Sequence, residues 1–410
     1  MGANPNTLTA DFPKYWSKRM QVTRFKVNTY HVLANYEEKA NLKKGNTATR
    51  PYRSALTINT LGADGSYSRQ AITDTEELLT IDQEKEVSFY IKELDELQSN
   101  YNTRNDYADD CAKLLTNYID GVVLGEYDQA ASKLANYEMG GGGSAGDGVG
   151  FTLTTSNVLK VFGKANKALT NQNIPMTDRW AVISPEFYDI LWEFLAGKES
   201  QLGDKTGEMG NIGEYAGFKL YVSNNLGSSQ RLEFGTNPTN NDTITINGVT
   251  FTFRTTLGVV ANSIHICSDA EKTLNQLVAA INTPGTSVAE DTDTGFVALS
   301  AADQALMKGI VATDGATYMT LKATGKSYVV VSEALTAIAD IWTLTKQLQH
   351  QVFGQGKPVD LVIQKDVNMK VKDRDGYIGS DIVTWAVFGK KTFNEGTKQL
   401  VDVQVVSSAF

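Results

Sequence analysis

Only two cysteines occur in this 410-residue chain, Cys111 and Cys267, and they stand far apart. Two cysteines cannot build a disulfide framework, so the fold must rest on packed cores. Such usage suits a protein that folds in a reducing cytoplasm. Histidine is nearly as scarce, with His31, His265 and His350. Only His265 has another ligand type at close spacing, two residues before Cys267, and two ligands do not close a zinc site. No apolar run approaches the ~20 residues of a membrane span. The opening MGANPNTLTADFPKYWSKRM has no apolar stretch of the secretory kind. Catalytic signatures are missing too: there is no Gly-x-Ser-x-Gly elbow, and no Ser/His/Asp or Cys/His set stands out. Thr324-Gly325-Lys326-Ser327 ends like a phosphate loop, but Thr320 sits where that motif needs its first glycine. Asp373-Arg374-Asp375-Gly376 matches half of a calcium loop and lacks the closing glutamate. The expectation is a chain without catalytic, cofactor-binding or metal-binding residues, and so not an enzyme.

What is present is ordinary in amount and uneven in arrangement. Hydrophobic residues make up 41% and charged residues 21%, close to globular usage. At roughly 100–200 residues per domain, the length allows two to four domains. The net charge is −9. Residues 1–60 hold ten Lys/Arg against three Asp/Glu, whereas residues 61–130 hold five against sixteen. A basic arm followed by an acidic segment suits contact with a partner, whether a nucleic acid, an acidic surface or a second copy of the chain.

Along the chain, residues 1–44 read as an extended arm with short helical pieces. Two strand-like runs follow, Arg53–Leu61 and Ser66–Ile72, around the turn signal Gly62-Ala63-Asp64-Gly65. They lack apolar surface for a core of their own, and a lone hairpin is marginal in water. LTIDQEKEVSFYIKELDELQSN reads as a short strand and then polar sequence. From Tyr101 to Tyr127 apolar residues recur at three- and four-residue steps, which predicts a helix on the order of 35 Å long. Asp106, Asp109, Asp110, Lys113 and Asp120 lie on its other face, which is expected to be wet or to touch a charged neighbour. The glycine run beginning at Gly140 is a flexible break. A helix is expected over Thr152–Leu169, a strand over Asp178–Ile183, and a helix opened by Ser184-Pro185-Glu186, with serine as cap and proline preorganised at the first turn. Gly-rich connectors lead to a strand at Phe218–Ser223. Residues 236–325 change character. A period-two run crosses Asn247-Gly248, a type I′ hairpin signal; a helix at Asp269–Asn282 and strands at Thr294–Leu299 and Thr317–Leu321 follow. Tyr328–Ser332 reads as strand, Glu333–Leu348 as helix, and Val359–Gln364, Met369–Val371, Ile382–Phe388 and Leu400–Val406 as strands.

Three stretches carry a family resemblance. IDQEKEVSFYIKELDELQSNYN with YADDCAKLLTNYIDGVVL resembles the join between the extended loop and spine helix of tailed-bacteriophage major capsid proteins. Arg179, Val182, Ser184 and Pro185, then Gly217, Phe218, Tyr221, Ser223 and Asn224, resemble the strand–helix step and following strand of their axial domain. Trp385-Ala386-Val387-Phe388-Gly389-Lys390 is a looser echo of a C-terminal strand. The resemblance covers most of the chain outside 236–325.

It implies an α+β chain of the Hong Kong 97-type capsid fold. The expected parts are an N-terminal arm (1–44), an extended loop (45–82), a peripheral domain with the spine helix (83–150), an axial domain in two parts (151–235 and 326–358), an inserted surface domain (236–325) and C-terminal strands mainly in the peripheral domain (359–410). The implied role is a virion shell of hexamers and pentamers around double-stranded DNA, assembled in the host cytoplasm, with no sequence-specific DNA contact and no membrane. A portal protein is an implied partner, and a decoration protein is compatible with it. Because no helical scaffolding segment precedes the arm, a separate scaffolding protein is expected. The inter-subunit candidates are the basic residues Lys14, Lys18, Arg19, Arg24, Lys26, Arg50 and Arg53, set against an acidic run with Glu76, Glu77, Asp82, Glu84 and Glu86. A tail protein or adhesin, and a hydrolase with an unrecognised site, are the competing readings.

Overall fold

The computed structural model describes residues 24–39, 45–94, 103–142, 149–197, 212–234, 236–315, 318–323, 329–335, 342–344, 348–373 and 376–406. The chain falls into two units, one of Met1–Phe25, Glu84–Leu115 and Lys365–Ala386, the other of the remainder.

The smaller unit is built on parts of three neighbouring strands, β4 (Gln83–Lys92) from Glu84 on, β21 (Gly379–Thr392) up to Ala386 and β20 (Val359–Asp373) from Lys365 on, with β21 in the middle. Strict alternation along β4 leaves Val87, Phe89 and Ile91 half-buried and Glu84, Glu86 and Ser88 exposed, the pattern of a sheet with one wet face. The first half of helix α1 (Thr103–Leu124) meets the apolar side through Tyr107. Phe89 meets Tyr107 with ring centroids 5.8 Å apart, and Cys111 and Leu115 are buried. Sequence spacing allowed only a short strand here. The long charged side chains that alternate along β4 made a true strand read as polar.

The larger unit centres on a ten-stranded sheet. Its main path runs β15 (Ile310–Asp314), β16 (Tyr318–Ala323), β9 (Ser228–Phe234), β19 (Leu348–Gln355), β6 (Arg179–Ile183), β8 (Phe218–Val222) and β7 (Glu214–Tyr215). Strand β18 (Trp342–Leu344) also pairs with β9, β22 (Leu400–Val406) with β19, and β5 (Ser132–Leu134) with β22. Strands β6 and β8 are parallel and are joined through helix α3 (Pro185–Ala196), a βαβ crossover. Its start follows the sequence signal: Ser184 Oγ accepts from Phe187 N at 3.2 Å, and Pro185 fills the first helical position. All five residues of β6 are buried, because both faces are covered. Trp180 and Val182 join Ile119, Val122 and Val123 on one side. Ala181 and Ile183 join Phe162 of α2 (Val158–Asn171) and Phe187 on the other. Burying each such aromatic contributes about 1.5–3 kcal/mol.

A six-stranded sheet follows the order β13 (Val288–Asp291), β14 (Thr294–Phe296), β12 (Ser263–His265), β11 (Val249–Arg254), β10 (Thr243–Ile246) and β17 (Val331–Ala334). Asn247 and Gly248 both have positive φ, 49° and 84°, as a type I′ turn requires. Helix α4 (Ala270–Asn282) is capped by Asp269 and lays Leu274, Leu277 and Ile281 on this sheet; α5 (Ala301–Met307) adds Met307 to the same core. Leu232 and Val329, on either side of residues 236–325, belong to that core as well.

The remaining elements are β1 (Ala34–Asn35), parallel to the start of β20, the hairpin of β2 (Thr47–Arg53) and β3 (Asp74–Thr80), and α6 (Asn394–Lys398).

Four expectations need correction. Glu333–Leu348 is not one helix: Glu333 lies in β17, 342–344 form β18, and Leu348 opens β19. Apolar residues there have helical spacing, but edges of two sheets were open to pair with them, and tertiary pairing overrides local period. Helix α2 begins at Val158 and not near Thr152, since Phe151 bridges to Val405. The hairpin ladder lies at 47–53 and 74–80, below the runs at 53–61 and 66–72. Asp120 is wholly buried, not on a wet face.

Candidate functional site

The hairpin of β2 and β3 is docked at its base and bare at its far end. Arg50 opposes Glu77, and Arg53 opposes Asp74. On the docked face Arg50 reaches Glu38 at 2.8 Å and Asp360 at 3.2 Å, with its guanidinium 4.3 Å from the centre of the Phe393 ring. Tyr52 donates to Glu395 at 2.8 Å. Glu77 accepts from Asn394 N at 3.2 Å. Leu79 is buried against Val362 and Phe393. Burial raises the Asp360 carboxyl above its ordinary value against the pull of Arg50. Beyond the ladder, residues 54–73 have no regular structure apart from the expected turn, where Gly62 N donates to Ser66 O. Leu56, Ile58, Leu61, Tyr67 and Ile72 are 64–102% exposed there.

Of the other candidates, Lys14, Lys18 and Arg19 lie outside the described residues. Arg24, Arg53, Glu76, Asp82, Glu84 and Glu86 are exposed. Lys26 donates to Asn224 O at 2.9 Å. The structure therefore brings Arg50 and Glu77 together, but inside one hairpin and on their own subunit. Sequence spacing missed the group that fixes the root of the arm. Asp120 accepts from Thr29 N at 2.7 Å, Tyr30 N at 2.6 Å and Asn225 Nδ2 at 2.6 Å. Burial nevertheless raises its carboxyl above the usual value, outweighing those three donors.

A second group was not legible at all. A polar row crosses five neighbouring strands of the ten-stranded sheet. Lys322 opposes Ser229, Ser229 opposes Leu348, and His350 is the next residue on that face of β19. His350 opposes Gln404, Asp402 stands one diagonal step away, and Asp402 opposes Lys133. Ser229 Oγ lies 2.7 Å from His350 Nε2, and His350 Nδ1 lies 2.9 Å from Asp402 Oδ1. Gln404 donates to Asp402 Oδ2 at 3.0 Å. So a Ser/His/Asp set exists, contrary to the sequence expectation. Its members are 121 and 52 residues apart, and His350 sits just past the mistaken helix.

The Tyr127 ring stacks on His350 with centroids 3.9 Å apart and planes 12° from parallel. Gly227 permits this, since a Cβ there would strike the Tyr127 ring. Burial, reinforced by Asp402 and Asp128, pushes the Tyr127 phenol well above its ordinary value. Its hydroxyl has no hydrogen-bond partner among the described residues. Lys322 pairs with Asp128 at 2.7 Å, yet burial lowers its ammonium. These groups line a cavity of about 260 Å³.

No family model matches the chain, and no curated protein matches its sequence. Solved structures do match. A chain of Mycobacterium phage Che8 is 17% identical, with a TM-score of 0.55 and 98% of each chain covered. The capsid of cyanophage P-SCSP1u is 13% identical, with a TM-score of 0.53 over 99% of this chain and 96% of that one. The fold is that of bacteriophage capsid chains. The acid-stable capsid of Helicobacter pylori bacteriophage KHP30 gives a TM-score of 0.52 at 7% identity, with 99% of each chain covered. No helix among the described residues is long and apolar enough to cross a membrane.

Proposed function

We propose that this chain is the major capsid protein of a tailed bacteriophage. Many copies would build the icosahedral head shell around double-stranded DNA. A fold alone does not fix function, so one observation has to carry the reading: the bare end of the hairpin. Residues 54–73 present five large apolar side chains to solvent, and no core of their own supports them. A patch of that kind marks a surface awaiting a partner. A second copy supplies one at every lattice position, and closed symmetric assembly repeats the contact.

On this reading the parts are those of the Hong Kong 97-type fold. Residues 45–82 are the extended loop and 83–150 the peripheral domain with the spine helix. Residues 151–235 and 326–358 form the axial domain, 236–325 a surface insertion, and 359–410 the returning strands. Hexamers and pentamers form with a separate scaffolding protein, a portal protein occupies one vertex, and a decoration protein is compatible with the outer face. The net charge of −9 fits a wall that holds DNA without gripping it, since tight binding needs many cationic phosphate contacts.

Imaging decides between this and a tail protein or adhesin. The expressed chain, with its scaffolding protein, is expected to give closed shells in negative stain. Tubes, fibres or single molecules would favour the other reading.

A further inference from the structure

We propose that Ser229 is an activated nucleophile, and that the cavity around it accepts small acyl esters. The proposal does not depend on the shell reading; it rests on the Ser229–His350–Asp402 geometry and on a Tyr127 hydroxyl that has no hydrogen-bond partner among the described residues.

Two requirements of such a site are met, and the third has a candidate group. A nucleophile and base must share a hydrogen bond, and Ser229 Oγ and His350 Nε2 are 2.7 Å apart. The base must be oriented by a third group, and Asp402 holds His350 Nδ1 at 2.9 and 3.0 Å through its two oxygens. Asp402 is itself fixed by Gln404. Charge developing on the reacting carbonyl oxygen needs a donor held in place before reaction. Tyr127 lines the cavity, and its hydroxyl is buried with no hydrogen-bond partner among the described residues. Ring stacking on His350 fixes the ring, and Lys322, paired with Asp128, stands 4.9 Å from the ring centre. A volume of about 260 Å³ lies below the range of drug-sized pockets, so the acyl group is one of a few carbons.

The chemistry balances. Ser229 Oγ adds to the ester carbonyl carbon while its proton passes to His350 Nε2. The ester C–O bond then breaks, and the departing alkoxide takes that proton and leaves as an alcohol. Water adds to the acyl-serine and gives a proton to His350. The acyl–Oγ bond breaks, Oγ recovers the proton, and a carboxylic acid leaves.

The test is peptide-mapped mass spectrometry of the folded chain after brief exposure to p-nitrophenyl acetate. The expected product is an acetyl ester on Ser229 that hydroxylamine removes, unlike acetyl-lysine, and that Ser229→Ala lacks. Removing the base with His350→Gln should slow acylation about a hundredfold or more. Tyr127→Phe keeps the stack and loses only the hydroxyl; about a hundredfold loss is expected. Asp402 acts through His350 as a positioning residue, so its readout is rescue by the conservative variant. Asp402→Ala should slow Ser229 labelling about a hundredfold, and Asp402→Glu, which keeps a carboxylate for His350 Nδ1, should recover part of that rate. Absence of any Ser229 adduct on the wild-type protein overturns the proposal. So does labelling at an undiminished rate in folded Tyr127→Phe and His350→Gln. Either result would reduce the row to a device that keeps five strands in register.

Discussion

Two buried ionisable residues fasten segments of the larger unit, Arg179 locally and Asp120 over a long range of sequence. Arg179 is 1% exposed and donates to Pro175 O at 3.0 Å, Ile174 O at 2.9 Å and Thr170 Oγ1 at 3.1 Å. It sits at the C-terminal end of α2, where a cation is favoured. Arg179→Met should cost on the order of 2–3 kcal/mol, because carbonyls that accept from a charged donor lose it; a urea midpoint measures this. Asp120→Ala orphans three donors at the arm root, one of them fully buried. A loss on the order of 3 kcal/mol is expected, with new proteolytic cleavage near residues 24–32. The pH dependence has a definite sign. The folded pKa of Asp120 is raised above 3.8, so the native state holds this proton more tightly than the unfolded chain does. The stabilisation is present below the unfolded value and is lost as pH rises through the folded value. Subtracting the stability–pH curve of Asp120→Asn from that of wild type should leave a term that falls in this direction; a rising or flat difference would contradict it. Ser184 and Pro185 were legible from local rules. Asp120 was not, because it shares a helical stripe with exposed Asp106 and Asp109, and only the packing of Thr29, Tyr30 and Asn225 makes it different.

At the scale of elements, the hairpin of β2 and β3 depends on a small core of its own at the base. Phe393 supports both the Arg50 guanidinium and Leu79. Phe393→Ala should cost about 3–5 kcal/mol of local stability. Hydrogen exchange should then quicken at 47–53 and 74–80 while the ten-stranded sheet stays protected. Elements with capping or turn chemistry were readable in advance: α3, α4, the Asn247-Gly248 hairpin and β22, which spans Leu400–Val406 as expected. Sequence pattern alone puts the ladder of β2 and β3 too far out. Its strands are rich in Thr, Glu and Arg and gain their order from what they rest on. The row through Ser229, His350 and Asp402 was invisible for a related reason. Diagonal neighbours across strands are set by register, and register among β9, β19 and β22 is a property of the assembled sheet.

On the scale of the whole molecule, charge and bare apolar surface make separate predictions. If the basic arm contacts acidic surface on sister copies, each exposed pair contributes only ~0.2–1 kcal/mol, but the contact repeats across the particle. Assembly should slow as salt rises toward 1 M, where the Debye length shrinks to ~3 Å; a rate unchanged by salt in a light-scattering assay would remove the charge role. The apolar contribution should survive salt and reside in residues 54–73. The fold class, and the likeness carried by Arg179, Ser184, Pro185, Phe218 and Tyr221, were legible in the sequence. How residues 54–73 are covered was not, because that surface is completed by other molecules.

The most direct measurement compares two chains by negative-stain imaging beside their melting temperatures: the intact protein, and one in which residues 55–72 are replaced by a short Gly-Ser linker. Closed shells from the first, none from the second, and the same melting temperature for both single molecules are predicted. Shells of equal yield from the shortened chain would contradict the account, and so would an intact chain that stays monomeric with residues 54–73 resistant to protease.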